Sequence, residues 1–422
     1  MQPLMRFVYG SKFCAISAQL ISSPFLISIM FQKYYQKIEE LKKTDHYRTL
    51  VKVTGSVDAE VSIDGKKMIL LSSNNYLGLA GCSAMKKRTI AAVQAIGTGA
   101  GASRLISGNL EIHEELEKRI AKFKSCDSAI LFSTGYMANL GVISSLAGKG
   151  DLILSDHLNH ASIIDGCRLS GAEIIKYPHK DFDYLDNFLS RRRSDLQFTG
   201  KILIITDGLF SMDGDLAPLP QLQKIAKKNN GLLLVDDAHA TGVIGSSGKG
   251  TCEHFGLEKE NVIQIGTFSK ALGSLGGFVT GPEIIIEYLK NTARSFIYTT
   301  ALPPSVCASS LAALDIIEND PSIRKNLMGN VETVRSGLID MGYNCLDSKT
   351  HIIPVVTGEA GVTMKFARGL LEKGIFAPAI RPPTVPDGKS RIRVSLMSSH
   401  TEKHLEIIID GFRSEGRRLG II

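Results

Sequence analysis

The stretch 263–279, "IQIGTFSKALGSLGGFV", decides how this chain is read. An apolar run delivers Lys270 to its tip, between Thr267, Ser269 and Ala271, and a glycine-rich turn follows. A lysine in that place is either a surface cation in a tight turn or an amine held for chemistry. Its company elsewhere in the chain separates the two readings.

Working outward, short apolar runs recur between about 83 and 310: "SAILFS", "DLILSD", "AEIIKY", "KILIITD", "GLLLVDD", "NVIQIGT" and "GGFVTG". Helix-length segments separate them. Near-continuous apolar runs of this length, alternating with helices, predict a mainly parallel sheet covered on both faces by helices, an α/β fold. In such sheets the binding crevice lies beyond the carboxyl ends of the strands. Those ends carry the polar residues: Asp236, Asp237 and His239 after "LLLV", Asp207 after "ILIIT", Asp156 and His160 after "LILS", and Lys270 itself.

The set is chemically coherent. A lysine that condenses with an aldehyde must be partly unprotonated, so it belongs in a shielded site near other positive charge. An electron-withdrawing cofactor ring needs a carboxylate at its nitrogen. Asp236, on a neighbouring apolar run, has the right type for that task. A phosphate needs backbone N–H groups at a helix start, and "STGYMANLGVISSL" (133–146) offers Gly135 and Tyr136 there, with Thr267 adding a hydroxyl. A helix cap explains Ser133 or Thr134 equally well. His160 in "DHLNHAS" suits stacking on a flat ring. The His-x-x-His spacing with His157 has no third ligand at a fixed spacing, so no metal site is expected.

Two glycine-rich stretches are decoys. "GTGAGA" (97–102) follows no apolar strand, and "GSSGKG" (245–250) lacks the hydroxyl residue after its lysine that a phosphate loop requires.

The composition of the 422 residues sets bounds: 44% are hydrophobic and 22% charged, as in ordinary globular chains. The formal charge of +7 comes without a basic stripe interleaved with aromatics, so no nucleic-acid partner is expected. Seven scattered cysteines without Cys-x-x-Cys spacing fit a reducing compartment, and a cytoplasmic location is expected. Residues 1–30 hold no acid, and "FCAISAQLISSPFLISIMF" (13–31) is mostly apolar but broken by Gln19, Pro24 and serines. An over-long start, a signal or anchor segment and an organellar presequence all remain open there, and no membrane partner is expected. The expected organisation is a leader (1–30), an N-terminal helix with small strands (31–82), a large cofactor-binding domain (83–310) and a smaller α+β domain (311–422).

The motifs "GTFSKALGSLGG", "LLLVDDAHATGVIG", "SDHLNHASIIDG", "TDGLFSMDGDLAPL", "SSNNYLGL" and "AIRPPTVPDGKSRIRVSL" together resemble the α-oxoamine synthases. These are fold-type I enzymes dependent on pyridoxal 5′-phosphate, and the likeness runs from about residue 33 to the C-terminus in family order. The resemblance implies Lys270 as the lysine linked to the cofactor and Asp236 at the ring nitrogen. It implies His239 at the phenolic oxygen and His160 stacked on the ring, these four forming the catalytic set. Gly135, Tyr136 and Thr267 match phosphate-binding positions, and Ser211 lies near the cofactor. Thr299 matches a residue that reaches the partner subunit's cofactor, which implies a homodimer with active sites at the interface. Asn74, Arg381 and Arg393 match positions that hold the amino-acid carboxylate, and Arg48 one near the acyl substrate. Asp207 stands where some relatives have Glu and is left out of the catalytic set.

The family reaction condenses an amino acid with an acyl thioester and releases carbon dioxide. Within the family, "SRLISGN" (103–109), "DDAHATGVIG" and "RPPTVP" (381–386) resemble the branch that joins L-alanine to a pimeloyl thioester in biotin synthesis. The glycine C-acetyltransferase branch is the alternative, through "LNHASIIDG" and the terminal "LGII", and the serine-palmitoylating branch is a third. A non-catalytic subunit on the same fold, or an aminotransferase, is the rival of another kind.

Overall fold

The structure, a computed structural model, describes residues 29–44, 47–193 and 198–422. Most of the expected leader therefore lies outside the described residues. The chain divides between Lys52 and Val53 into two compact units. The first contains the amphipathic helix Ile29–Lys43, exposed from Phe31 to Glu40 and carrying the ion pairs Lys37–Glu40 and Lys42–Glu39, both 2.8 Å.

The second unit opens with a small sheet of β1 (Val53–Thr54), β2 (Glu60–Ile63) and β3 (Lys66–Leu70). Asp64 and Gly65 turn between β2 and β3 with φ of 50° and 75°, as the Asp-Gly pair predicts. β12 (Ile375–Phe376) joins this sheet parallel to β3.

The central sheet has the order β4-β10-β9-β8-β7-β5-β6. Its strands are β4 (Ser128–Phe132), β5 (Leu152–Asp156), β6 (Glu173–Tyr177), β7 (Ile202–Asp207), β8 (Leu232–Asp236), β9 (Val262–Thr267) and β10 (Gly277–Gly281). From β9 to β6 the pairings are parallel, whereas β10 runs antiparallel to both β9 and β4. The apolar runs of the inner strands are unbroken because those strands are covered twice. Ile153, Ile205, Leu234 and Ile263 enter one core, and Leu154, Ile204, Leu233 and Val235 enter another. Successive side chains alternate between faces, so both parities must be apolar. Burying each such side chain stabilises the sheet by roughly 1.5–3 kcal/mol.

A third sheet, β11-β14-β13, holds β11 (Ile352–Gly358), β13 (Ala379–Ile380) and β14 (Ser390–Ser395). Every residue of β14 is buried, Arg391 and Arg393 included. That burial requires partners for both guanidinium groups, and it brings Arg393 to the Ser211 carbonyl, just after β7.

Candidate active site

The carboxyl ends of β5, β7, β8 and β9 meet at a cavity of about 220 Å³. Lys270, Asp236, Asp207, His239, His160 and Ser211 all face it. A larger cleft of about 550 Å³ beside Arg104, Glu117 and Lys122 gathers no such group of strand-end residues.

Lys270 follows β9, and its Nζ lies 2.9 Å from His239 Nε2. Burial is the main reason that its pKa drops to about 8, aided by Arg393 and opposed by Asp236 and Asp207. An amine so placed is unprotonated in a useful fraction near neutral pH. His239 is buried, and desolvation followed by the charges of Lys270 and Arg393 holds its pKa well below the ordinary imidazole value. Its Nδ1 contacts Tyr76 Oη at 2.7 Å.

Asp236 ends β8. Its Oδ2 accepts from Asn139 Nδ2 at 2.6 Å and its Oδ1 from the Ala238 N–H at 2.9 Å. Asp207, level with Asp236 on β7, accepts from the His160 N–H at 2.8 Å. That bond fixes the turn in which His160 caps helix Ala161–Ser170, with Nδ1 2.7 Å from Ser162 Oγ. Burial lowers the His160 pKa, Asp236 opposing and Lys270 adding to the effect.

Helix Gly135–Leu146 begins at the cavity wall, capped by Thr134 Oγ1, which accepts from the Met137 N–H at 3.1 Å. The first N–H groups of a helix have no acceptor one turn back and bind anions well. β10 leans against this start so closely that a Cβ on Gly277 would lie 2.6 Å from Gly135 N. Tyr136 is exposed and its hydroxyl donates to Asp165. Thr267 is less free than its position implied: its hydroxyl meets the Gly276 carbonyl at 2.7 Å and Ser269 Oγ at 2.7 Å. Ser269, exposed on the same wall, supplies a second hydroxyl.

Of the residues expected to hold the amino-acid carboxylate, Arg393 and Asn74 come together. Arg393 Nη1 and Nη2 donate to Asn74 Oδ1 at 3.3 and 3.2 Å, and Nε donates to the Ser211 carbonyl. Arg381 lies after β13, donates to Met364 Sδ and does not line the cavity. Thr299 lines a separate small cleft with Arg104 and His113. Arg48 is exposed in the N-terminal unit. "GSSGKG" is a turn in which Glu253 accepts from the Ser247 and Lys249 N–H groups, leaving no phosphate loop.

The sequence reading missed Asn139 and Tyr76. Both stand inside motifs it quoted, but their partners lie 97 and 163 residues away.

The lysine, the acid and the helix start fit pyridoxal phosphate in type and arrangement: an amine for the aldehyde, a carboxylate for the ring nitrogen and N–H donors for the phosphate. A family model, "Aminotransferase class I and II", matches residues 66–412. An 8-amino-7-oxononanoate synthase of Geobacter sulfurreducens is 45% identical over 388 residues, covering 92% of this chain and 98% of the relative. Another, from Lysinibacillus sphaericus, is 47% identical over 392 residues, with 93% and 99% covered. Among solved structures, a serine palmitoyltransferase from S. paucimobilis with a bound PLP–myriocin aldimine superposes with a TM-score of 0.86 at 33% identity, covering 93% of this chain and 99% of that one. This chain belongs to the α-oxoamine synthases, fold-type I enzymes of the class I and II aminotransferase family.

Proposed function

We propose that the protein is a pyridoxal-phosphate-dependent acyltransferase that condenses L-alanine with a pimeloyl thioester to 8-amino-7-oxononanoate, a step of biotin synthesis. The observation that carries the reading is Lys270 Nζ in contact with His239 Nε2, on the strand next to the one that ends in Asp236. The names of the curated relatives supply the substrates.

Pyridoxal phosphate supplies, when bound, a ring that withdraws electrons from the amino acid's α-carbon. The residues of this chain do the rest. With the cofactor bound, Asp236 would hold a proton on the ring nitrogen, His160 would pack on the ring, and Gly135, Tyr136 and the hydroxyls of Thr267 and Ser269 would hold the phosphate. His239 and Ser211 would orient its phenolic edge. Arg393 and Asn74 hold the amino-acid carboxylate, with Arg381 as a second cation. Lys270 Nζ takes the α-proton and returns one to the product, the work of a base whose pKa lies near the working pH. A new carbon–carbon bond joins the α-carbon to the thioester carbonyl. The thiol leaves, carbon dioxide departs, and an α-amino ketone remains.

The same proposal includes a homodimer in which Thr299 serves the partner's site, Arg48 near the acyl substrate, a division near residue 310 between the cofactor domain and the smaller α+β domain, and a cytoplasmic location. No helix among the described residues is long and apolar enough to cross a membrane.

Purified protein should show a cofactor absorbance band that Lys270→Ala removes, and should release thiol from a pimeloyl thioester only with L-alanine. Turnover of glycine with an acetyl thioester, and none of alanine, would move the assignment to the glycine branch.

A further inference from the structure

Tyr76 sits between the two ends of the site. Its ring is fully buried, and the His351 ring presses on it edge-on at 4.1 Å. Its hydroxyl oxygen has three polar neighbours: His239 Nδ1 at 2.7 Å, Asn74 Oδ1 at 3.0 Å and Arg393 Nη2 at 3.1 Å. On the far side of His239, Nε2 meets Lys270 Nζ at 2.9 Å. One phenol thus connects the carboxylate-binding arginine to the lysine.

The arrangement has few protons to place. Arg393 only donates, so the phenol oxygen accepts from it. The single O–H then has two acceptors, Asn74 Oδ1 and His239 Nδ1. Asn74 Oδ1 already accepts both Arg393 Nη1 and Nη2. His239 Nδ1 is nearer and has no other donor among the described residues. The O–H therefore points at Nδ1, which places the proton of the neutral imidazole on Nε2. Nε2–H donates to Lys270, and only an unprotonated amine accepts such a bond.

We propose that Tyr76 is a positioning residue: its hydroxyl fixes the Nε2–H tautomer of His239 and thereby holds Lys270 as the free amine. The inference rests on the proposed function only for the statement that Lys270 is the reacting base. The other charged or titratable groups facing Lys270 and His239 are Asp236 from β8, Asp207 from β7, Arg393 from β14, His160 at its helix start and His351 beside Tyr76. Tyr76→Phe leaves all of them in place and removes one oxygen.

The test measures Lys270 directly. In the full-length chain stripped of cofactor, the rate at which an amine-reactive probe labels Lys270 is followed against pH by peptide mass spectrometry. Wild type should show a midpoint of about 8. Tyr76→Phe should move it up by about one pH unit, the loss of one hydrogen bond. Site-specific 3-fluorotyrosine at 76, a stronger donor, should move it down, and this second variant decides the matter where Tyr76→Phe does not fold. In the loaded enzyme, kcat of Tyr76→Phe should fall about tenfold near neutral pH and recover as pH rises, with KM for the thioester unchanged. A loss by misfolding would not recover with pH. An unmoved labelling midpoint, or equal shifts in both variants, would overturn the inference. If wild type failed to turn over alanine and pimeloyl thioester, the reaction assignment would fall, while the labelling result would still decide the role of Tyr76.

Discussion

Asp207 stands directly opposite Asp236, in register on the adjacent parallel strand, and both line the cavity. Two carboxylates so close are not both charged without cost. Burial, and then the charge of Asp236, pushes the Asp207 carboxyl well above the usual carboxylate range. Asp236 is the one that receives two N–H donors. Asp207→Asn, which mimics the protonated acid and still accepts from the His160 N–H, should retain kcat/KM within about tenfold. Asp236→Asn should lose at least about 100-fold. Steady-state kinetics of the two variants checks this, and equal losses would contradict the division of roles.

The close approach of β10 to the start of helix Gly135–Leu146, the proposed phosphate site, gives a second test. Ala at 277 would meet Gly135 N and the Thr134 carbonyl group at 2.6 Å, and backbone atoms cannot swing aside. Displacing the N–H donors by a fraction of an ångström should weaken cofactor binding at least about tenfold, as misplaced groups do. Gly329 in helix Ser322–Asp340 has open space around its Cβ position. Gly329→Ala should leave cofactor affinity unchanged and add about 0.4–1 kcal/mol of stability. Titration of the stripped proteins with cofactor, alongside urea unfolding, reads both.

Lys124 and Asp237 form an ion pair of 2.8 Å with neither side chain exposed, and Asp237 also accepts from the Thr251 N–H and hydroxyl. The pair anchors the turn after Asp236 to helix Glu111–Phe123. Lys124→Met strands a buried carboxylate and should cost about 3–5 kcal/mol in unfolding free energy. Adding Asp237→Asn should recover part of that loss. No recovery in the double variant would show that the charge is not what costs.

Two histidines should shape stability in opposite pH ranges. His351 is buried, and burial followed by Arg393 pushes its pKa down to about 3. Unfolded chains bind that proton near pH 6.5, so stability falls as pH drops from about 6.5 toward 3. For His179, burial opposes charging, but hydrogen bonds to Asp156 and Asp215 outweigh it and raise the pKa to about 9. Its contribution is therefore complete below about pH 6.5 and disappears as pH rises through about 9. Urea midpoints should show His179→Gln less stable than wild type at about pH 6, with the gap closing near pH 10. His351→Phe should flatten the acid limb.

The runs around Leu154, Ile204, Leu234 and Ile263 were legible as a parallel sheet because both faces of those strands are covered, leaving no polar parity to blur the pattern. Lys270, Asp236, His239 and His160 were legible because strand ends in such a sheet converge on one crevice. What the chain order could not contain was contact across the sheets. Asn139 reaches Asp236, Tyr76 reaches His239, and Arg393 rather than Arg381 reaches Asn74, each through pairings 97 to 319 residues apart. Local sequence therefore determined the strands and the chemical groups at their ends. Strand order, and the burial of β14 beside the 211–213 turn after β7, decided which of those groups share a proton, because hydrogen bonding depends on ångström-scale approach and not on spacing along the chain.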